Sequence, residues 1–254
     1  MNIFSDIPHV HSSFLQNSVP KLQQDPRILG VAAGGSMLLG TMDEFSDLDL
    51  IVVVAPEFYA AVLRERKNIV GNIDTLIEAF TGEHVGESRL LICLYGPPLL
   101  HVDFKFISIA DINDRVEDPL IVWERENALS RAMDPGKAKF PHPDPQWIEE
   151  RFWTWVHYGA TKIGRGELFE TLDFISFLRT TVIGPLILEA NNARPQGVRK
   201  IENHATQEQM ERLLGTVATY TRQSCIQALR ELITLYKSCR RIEGNAIAEQ
   251  YAID

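Results

Sequence analysis

The run Asp47-Leu48-Asp49-Leu50-Ile51-Val52-Val53-Val54 constrains the fold of this chain more than any other stretch. Two acidic residues alternate with leucines and lead into β-branched residues, the pattern of a strand entering a core. Successive side chains of a strand point to opposite faces, so Asp47 and Asp49 share one face while Leu48 and Leu50 enter the core. Carboxylates two positions apart on a strand lie roughly 7 Å apart, a span that suits shared coordination of a hard cation such as Mg²⁺. Gly34-Gly35-Ser36 lies upstream, separated from Asp47 by ten residues. Glycines allow the backbone to approach a ligand closely, and the N–H groups of a turn that opens a helix suit phosphate. A phosphate cradle beside a magnesium platform implies chemistry on a nucleoside triphosphate.

Phosphoryl transfer with two metals calls for a further acidic ligand from another strand. Asp103 is the candidate, in Leu99-Leu100-His101-Val102-Asp103-Phe104-Lys105-Phe106-Ile107. Leu100, Val102, Phe104 and Phe106 fall on one face of this segment, and His101, Asp103 and Lys105 on the other. Such alternation predicts a half-buried strand. Arg89–Tyr95 predicts the strand before it, and Gly96-Pro97-Pro98 the connection between them. The pair should form a hairpin beside the aspartate strand. His101 and Lys105 share the polar face with Asp103 and are expected to be solvated.

The segment GGSMLLGTMDEFSDLDLIVVV, with its second glycine (Gly40) and Ser46 before the first aspartate, resembles the signature of the DNA polymerase beta-like nucleotidyltransferase superfamily. That signature is a Gly-Ser turn, a short gap, and two acidic residues separated by one hydrophobic. The resemblance implies that Gly35 and Ser36 bind the phosphates of a nucleoside triphosphate, with ATP the expected donor. It implies that Asp47 and Asp49 bridge two Mg²⁺ ions and that Asp103 ligates the one nearer the incoming hydroxyl. The three aspartates are then both metal ligands and catalytic residues.

Net charge is −9, from 34 acidic and 25 basic residues, with a sequence pI near 5.3. No Lys/Arg run could track a polynucleotide backbone, which argues against a long nucleic acid as substrate. A small cationic acceptor would suit the acidic balance better. Cys93, Cys225 and Cys239 are far apart and form no Cys-x-x-Cys, as expected of thiols in a reducing compartment. No basic start is followed by an apolar run, and apolar runs such as Leu48–Pro56 are short for a membrane span. A cytoplasmic protein with no membrane contact is expected.

With 254 residues, 45% of them hydrophobic, the chain can bury one large core or two small ones. A helix is expected over Pro8–Gln24, a strand over Arg27–Ala33, a helix from Pro56 to Val70, and a short helix over Asn72–Phe80. Gly82–Gly86 reads as a loop, and Trp123 and Leu129 as anchors of one helix within Ile109–Met133. Asp134-Pro135-Gly136 and Phe140–Pro145 have the composition of a linker. They divide a nucleotidyltransferase domain over 1–140 from a helical domain over 146–254. In the latter, Gln146–Arg165 carries Trp147, Phe152, Trp155 and Tyr158 at helical spacing. Leu168–Ala190 follows, interrupted at Gly184-Pro185. Thr206–Leu214 and Val217–Arg241, with the stripe Ile226, Leu229, Ile233 and Tyr236, complete a bundle. The fold class is therefore α+β, a small mixed sheet with flanking helices followed by a carboxy-terminal helical bundle.

This layout is similar to that of the antibiotic nucleotidyltransferases of the superfamily, which act on a hydroxyl of an aminoglycoside or lincosamide. The likeness implies acceptor binding by the helical domain. The stretch Lys162–Glu170 resembles a junction that faces the cleft of such enzymes, where Lys162 or Arg165 could hold the triphosphate. Glu83, Glu87, Glu167 and Glu170 are rivals for the base that deprotonates the acceptor. A catalytically silent nucleotide-binding or antitoxin-like member is the alternative reading. The choice of acceptor, the choice among ATP, GTP and other nucleotides, and the oligomeric state are not legible, though an oligomer with a shared cleft is compatible with the pattern.

Overall fold

Alternating apolar residues of the first half of the chain assemble a mixed sheet of six strands. The computed structural model describes residues 7–253, and the chain divides into one unit up to Phe140 and another from Pro141. In the first unit, helix α1 (His9–Gln23) precedes strand β1 (Ile28–Ala33), and helix α2 (Gly35–Leu39) leads to β2 (Leu48–Val54). Helix α3 (Tyr59–Gly71) follows a short 3₁₀ turn that begins with Pro56. Strands β3 (Leu76–Gly82), β4 (Glu87–Tyr95) and β5 (Leu100–Ser108) come next, then β6 (Leu120–Glu124) and helix α4 (Ala128–Ala132).

The spatial order is β3-β4-β5-β2-β1-β6. Strands β2 and β5 run parallel, and the other neighbours are antiparallel. On one face Leu48, Leu50, Val52 and Val54 of β2 and Val102, Phe104 and Phe106 of β5 pack with Phe14, Leu15 and Leu22 of α1 and Val62 of α3. These side chains are all but fully buried and form the main core of the unit. A smaller cluster covers part of the opposite face, where Ala32, Val53 and Ile107 meet Leu129 of α4. The start of β2 and β5 on that second face carries acidic residues instead.

The first unit departs from the expected elements at two places. Asn72–Phe80 is not a helix: from Leu76 it is β3, an edge strand hydrogen-bonded to β4 in register Ala79↔Cys93 and Phe80↔Ile92. Only Ala79 and Gly82 of this strand are buried, so its alternation is blurred at an edge with few side chains to hide. Trp123 does not share a helix with Leu129. It lies on β6, opposite Val31, while Leu129 sits on α4 beyond an intervening turn.

The second unit is helical: α5 (Pro145–Arg165), α6 (Leu168–Leu178), α7 (Gly184–Ala190), α8 (Gln207–Gly215), α9 (Arg222–Cys239) and α10 (Ala246–Ile253). Asp144 caps α5 by accepting from the N–H groups of Gln146 (2.9 Å) and Trp147 (3.2 Å), with Pro145 in the first turn. Thr206 and Gln209 form a reciprocal capping box at α8. The expected break at Gly184-Pro185 is instead a π-helical segment, Arg179–Ile183, that joins α6 to α7 without interrupting the rod. Proline has no N–H to donate, and a π segment just upstream absorbs the resulting mismatch.

The run Leu168–Ala190 is therefore long and apolar enough to cross a membrane, contrary to the expectation from shorter apolar runs, and 56% of its most apolar window is buried within the protein. Leu178, Val182, Ile183, Leu186, Ile187 and Leu188 are core residues of the helical unit. The buried stripe of α5 is Ile148, Phe152, Trp153, Val156 and Ile163, whereas Trp147 and Tyr158 are partly exposed. Helix α9 begins at Arg222 rather than Val217, capped by Thr221, and buries Cys225, Leu232 and Leu235 more fully than Ile226 or Ile233.

Candidate active site

Strand β2 starts at Leu48, so Asp47 is the last residue of the preceding loop and Asp49 the second of the strand. Parallel pairing sets Asp49 opposite Asp103 of β5, flanked by the buried pairs Leu48↔Val102 and Leu50↔Phe104. A slip of one residue would carry every one of those apolar side chains to the wrong face, which holds the two aspartates in line. Asp47, Asp49 and Asp103 each present a carboxylate oxygen within 4.8 Å of the others, and all three side chains are half-buried. Three carboxylates so close repel one another unless a cation lies among them. An all-oxygen donor set fits a hard divalent ion and not a thiophilic one. This group of residues can therefore hold a metal.

The glycine turn is locked to the same strand. Gly34 N–H donates to the Asp49 carbonyl (2.9 Å). Gly35 opens α2 with φ +57°, and a Cβ there would lie 2.1 Å from Asp49 Oδ2. Only glycine tolerates both the left-handed backbone and that approach. Ser36 lies in the first turn of α2, and Gly40 closes the helix in the left-handed region. Gly35, Ser36, Asp47 and Asp49 are thus brought together by β1, β2 and the turn between them.

Three neighbours of this site lie outside the motif. Glu117, in the loop before β6, accepts a hydrogen bond from Gly35 N–H (3.0 Å), so a carboxylate engages the amide of the glycine turn. Its place in an Asp/Glu-rich loop offered no local signal. His11, buried on α1, donates from Nε2 to the carbonyl of Ser46 (2.6 Å), the residue before Asp47. Ser46 also exchanges hydrogen bonds with Asp43, its hydroxyl donating to Oδ1 and accepting from the backbone N–H, both at 3.0 Å. These bonds order the loop that delivers Asp47. His101 is exposed, as expected, and its Nε2 lies 2.9 Å from Asp103 Oδ1, a contact that raises its pKa against the opposing effect of burial.

Lys105 pairs with Glu87 (2.9 Å). Glu87 is also bound by Arg89 (2.7 Å), and chiefly for that reason its carboxyl is held down to about 2. A carboxylate held so low is a poor proton acceptor. Glu83 is exposed and accepts from Thr81, which lowers its pKa. Lys162 lies on α5 of the helical unit, its ammonium against Glu167 (2.7 Å) and Glu170 (2.9 Å) and above the Tyr158 ring (5.1 Å). Glu170 also accepts from Tyr158, the main cause of its lowered pKa. Lys162, Glu167 and Glu170 thus form one ion-pair cluster.

Residues 15–86, from α1 into the turn after β3, match the family model described as a nucleotidyltransferase domain. The chain carries a nucleotidyltransferase domain. That domain is one of the nucleotidyltransferase enzymes, and the matched span includes Gly35, Ser36, Asp47 and Asp49 but not Asp103. No curated protein sequence matches the chain significantly. Among solved structures it is similar to an aminoglycoside 6-adenyltransferase from Bacillus subtilis, with 14% identity, a TM-score of 0.36 and coverage of 94% of this chain and 90% of that one. It is also similar to a nucleotidyltransferase-like protein from Exiguobacterium sibiricum 255-15, with 12% identity, a TM-score of 0.40 and coverage of 95% and 77%. Neither likeness bears on the substrate of the nucleotidyltransferase described here.

Proposed function

We propose that this nucleotidyltransferase is magnesium-dependent and moves a nucleoside monophosphate from a nucleoside triphosphate, ATP first among them, to a hydroxyl of a small molecule. The observation that supports the reading best is the convergence of Asp47, Asp49 and Asp103 to within 4.8 Å, with the Gly34-Gly35 turn bonded to the same strand. In this proposal the three aspartates hold Mg²⁺, which supplies charge neutralisation at the reacting phosphoryl group and lowers the pKa of the acceptor hydroxyl. Gly35 and Ser36 receive phosphate oxygens, for which the Gly35 N–H must exchange its bond to Glu117. Lys162 would have to exchange Glu167 and Glu170 for phosphate oxygens to act on the nucleotide. Residues 1–140 form the catalytic domain and 146–254 the acceptor-binding domain. The cytoplasm, which supplies nucleoside triphosphates, is the proposed place of action, in keeping with three free thiols.

The acceptor class suggested by the resemblance is an aminoglycoside or lincosamide, and these head the test. The protein is incubated with Mg²⁺, labelled ATP and a panel of both antibiotic types, beside an Asp47→Asn/Asp49→Asn variant. Pyrophosphate release that requires an acceptor and both aspartates is the expected result. Nucleotide binding without release for any hydroxylated acceptor would favour a silent, regulatory member. Absence of magnesium-dependent nucleotide binding would overturn the site assignment.

A further inference from the structure

The row of side chains that carries Asp49 and Asp103 does not end at Asp103; the pairing registers continue it across the sheet. Asp49 faces Asp103, Asp103 faces Ile92 of β4, and Ile92 faces Phe80 of β3. Cross-strand partners share a face, so the four side chains form one line perpendicular to the strands. At about 4.8 Å per strand, Phe80 stands about 10 Å from Asp103 along that line. Leu94, opposite His101, and Leu90, opposite Lys105, flank it on the same face. Phe80 is 52% exposed and Leu94 37%, whereas the other face of the same strands buries Ala79, Leu91 and Cys93. The Phe80 ring is in contact with His84 (5.8 Å between centroids), which fixes one side of it at the sheet edge. An apolar shelf of Leu90, Ile92, Leu94 and Phe80 therefore begins where the carboxylates stop.

The shelf and the glycine turn lie on opposite sides of the carboxylates. Gly34 and Gly35 follow β1, which borders β2 on the side away from β5, while the shelf lies beyond β5. With phosphates at the turn, the acceptor hydroxyl approaches from the Asp103 side. We infer that the Leu90–Ile92–Leu94–Phe80 shelf is an acceptor-specificity surface of the catalytic domain, additional to the acceptor-binding domain, and that it selects an uncharged or cationic hydroxylated molecule with an apolar or aromatic face next to the hydroxyl. The inference rests on the proposed function and adds to it the chemistry of the acceptor. Aromatic side chains contribute apolar area at modest entropic cost, and the adjacent carboxylates disfavour an anion.

Aryl glycosides and the matching methyl glycosides, which share their hydroxyls and differ only in apolar surface, test it on the full-length protein with Mg²⁺ and ATP. Binding is read by calorimetry and transfer by pyrophosphate release, with nucleotide affinity of the wild type measured separately. An aryl-over-methyl preference of about tenfold is expected from burial of one ring. Phe80→Ala should reduce it to about threefold or less, and Phe80→Tyr should retain it, while Phe58→Ala, which removes an exposed phenylalanine beyond the far end of β2, should not change it. No aryl preference in the wild type, or a preference indifferent to Phe80→Ala, would overturn the inference. So would a Phe80→Ala variant that weakens nucleotide rather than glycoside binding, or one that only converts an oligomer to a monomer in sedimentation. If the wild type does not bind nucleotide with magnesium, the proposed function fails by itself, and the aryl preference then reports on the shelf alone.

Discussion

Gly35 shows how far one residue can be determined by its surroundings. Its φ of +57° and the 2.1 Å separation between a hypothetical Cβ and Asp49 Oδ2 leave no room for a side chain. Gly35→Ala must rotate Asp49 or shift the turn, at a cost of about 1–3 kcal/mol for the strained backbone alone. Magnesium-dependent nucleotide affinity should fall by at least about tenfold, equivalent to displacement of one charge-bearing contact. Thermal melts and calorimetric titration of the variant would check both, and wild-type affinity would contradict the role given to the turn. Glu117 illustrates the opposite situation. Nothing in its local sequence marks it, because its contact with Gly35 spans 82 residues and arises only when the loop before β6 folds over the turn.

Strands and helices carry their own charge-dependent ties. Glu87, at the start of β4, bonds Arg89 on its own strand and Lys105 on β5, and its carboxyl is held down to about 2. A depressed carboxyl contributes stability that is fully present above its unfolded value, near 4.3, and is lost as pH falls toward the folded value. Wild-type stability should therefore decline between about pH 4.5 and 2 by about 1–2 kcal/mol more than that of Glu87→Gln, as partial exposure weakens such pairs. Urea denaturation at stepped pH measures the difference. In the helical unit Glu149 of α5 is buried and accepts from Trp153 Nε1 (2.9 Å), the Tyr236 hydroxyl of α9 and the Asn245 N–H (2.7 Å) before α10. Burial opposes its ionisation, but the donors outweigh burial and keep the pKa low. Glu149→Ala strands those donors and should destabilise the protein by about 2–4 kcal/mol. A chemical-denaturation midpoint unchanged from wild type would show that the network does not tie these helices together.

For the whole molecule, three half-buried carboxylates make the metal-free protein sensitive to divalent cations. Mg²⁺ at ten times its dissociation constant should stabilise the wild type by about 1.4 kcal/mol, seen as a rise in melting temperature, and leave Asp49→Asn nearly unaffected. An equal rise in both proteins would mean that the ion binds elsewhere. What the sequence by itself determined was whatever repeats within a few residues: the alternation that makes β2 and β5 strands, the Gly-Gly-Ser turn, the course of the long helices, and the change in composition near Phe140. Local pattern failed at β3, where an edge strand buries too little to show its period, and at Trp123, where a short strand and a short helix adjoin. Only the tertiary structure decided that Asp49 lies opposite Asp103, that His11 secures Ser46, and that the row through Asp103 runs on to Ile92 and Phe80. Pairing register and loop closure depend on which distant side chains share a core, and that information is spread over the chain and not held in any window of it.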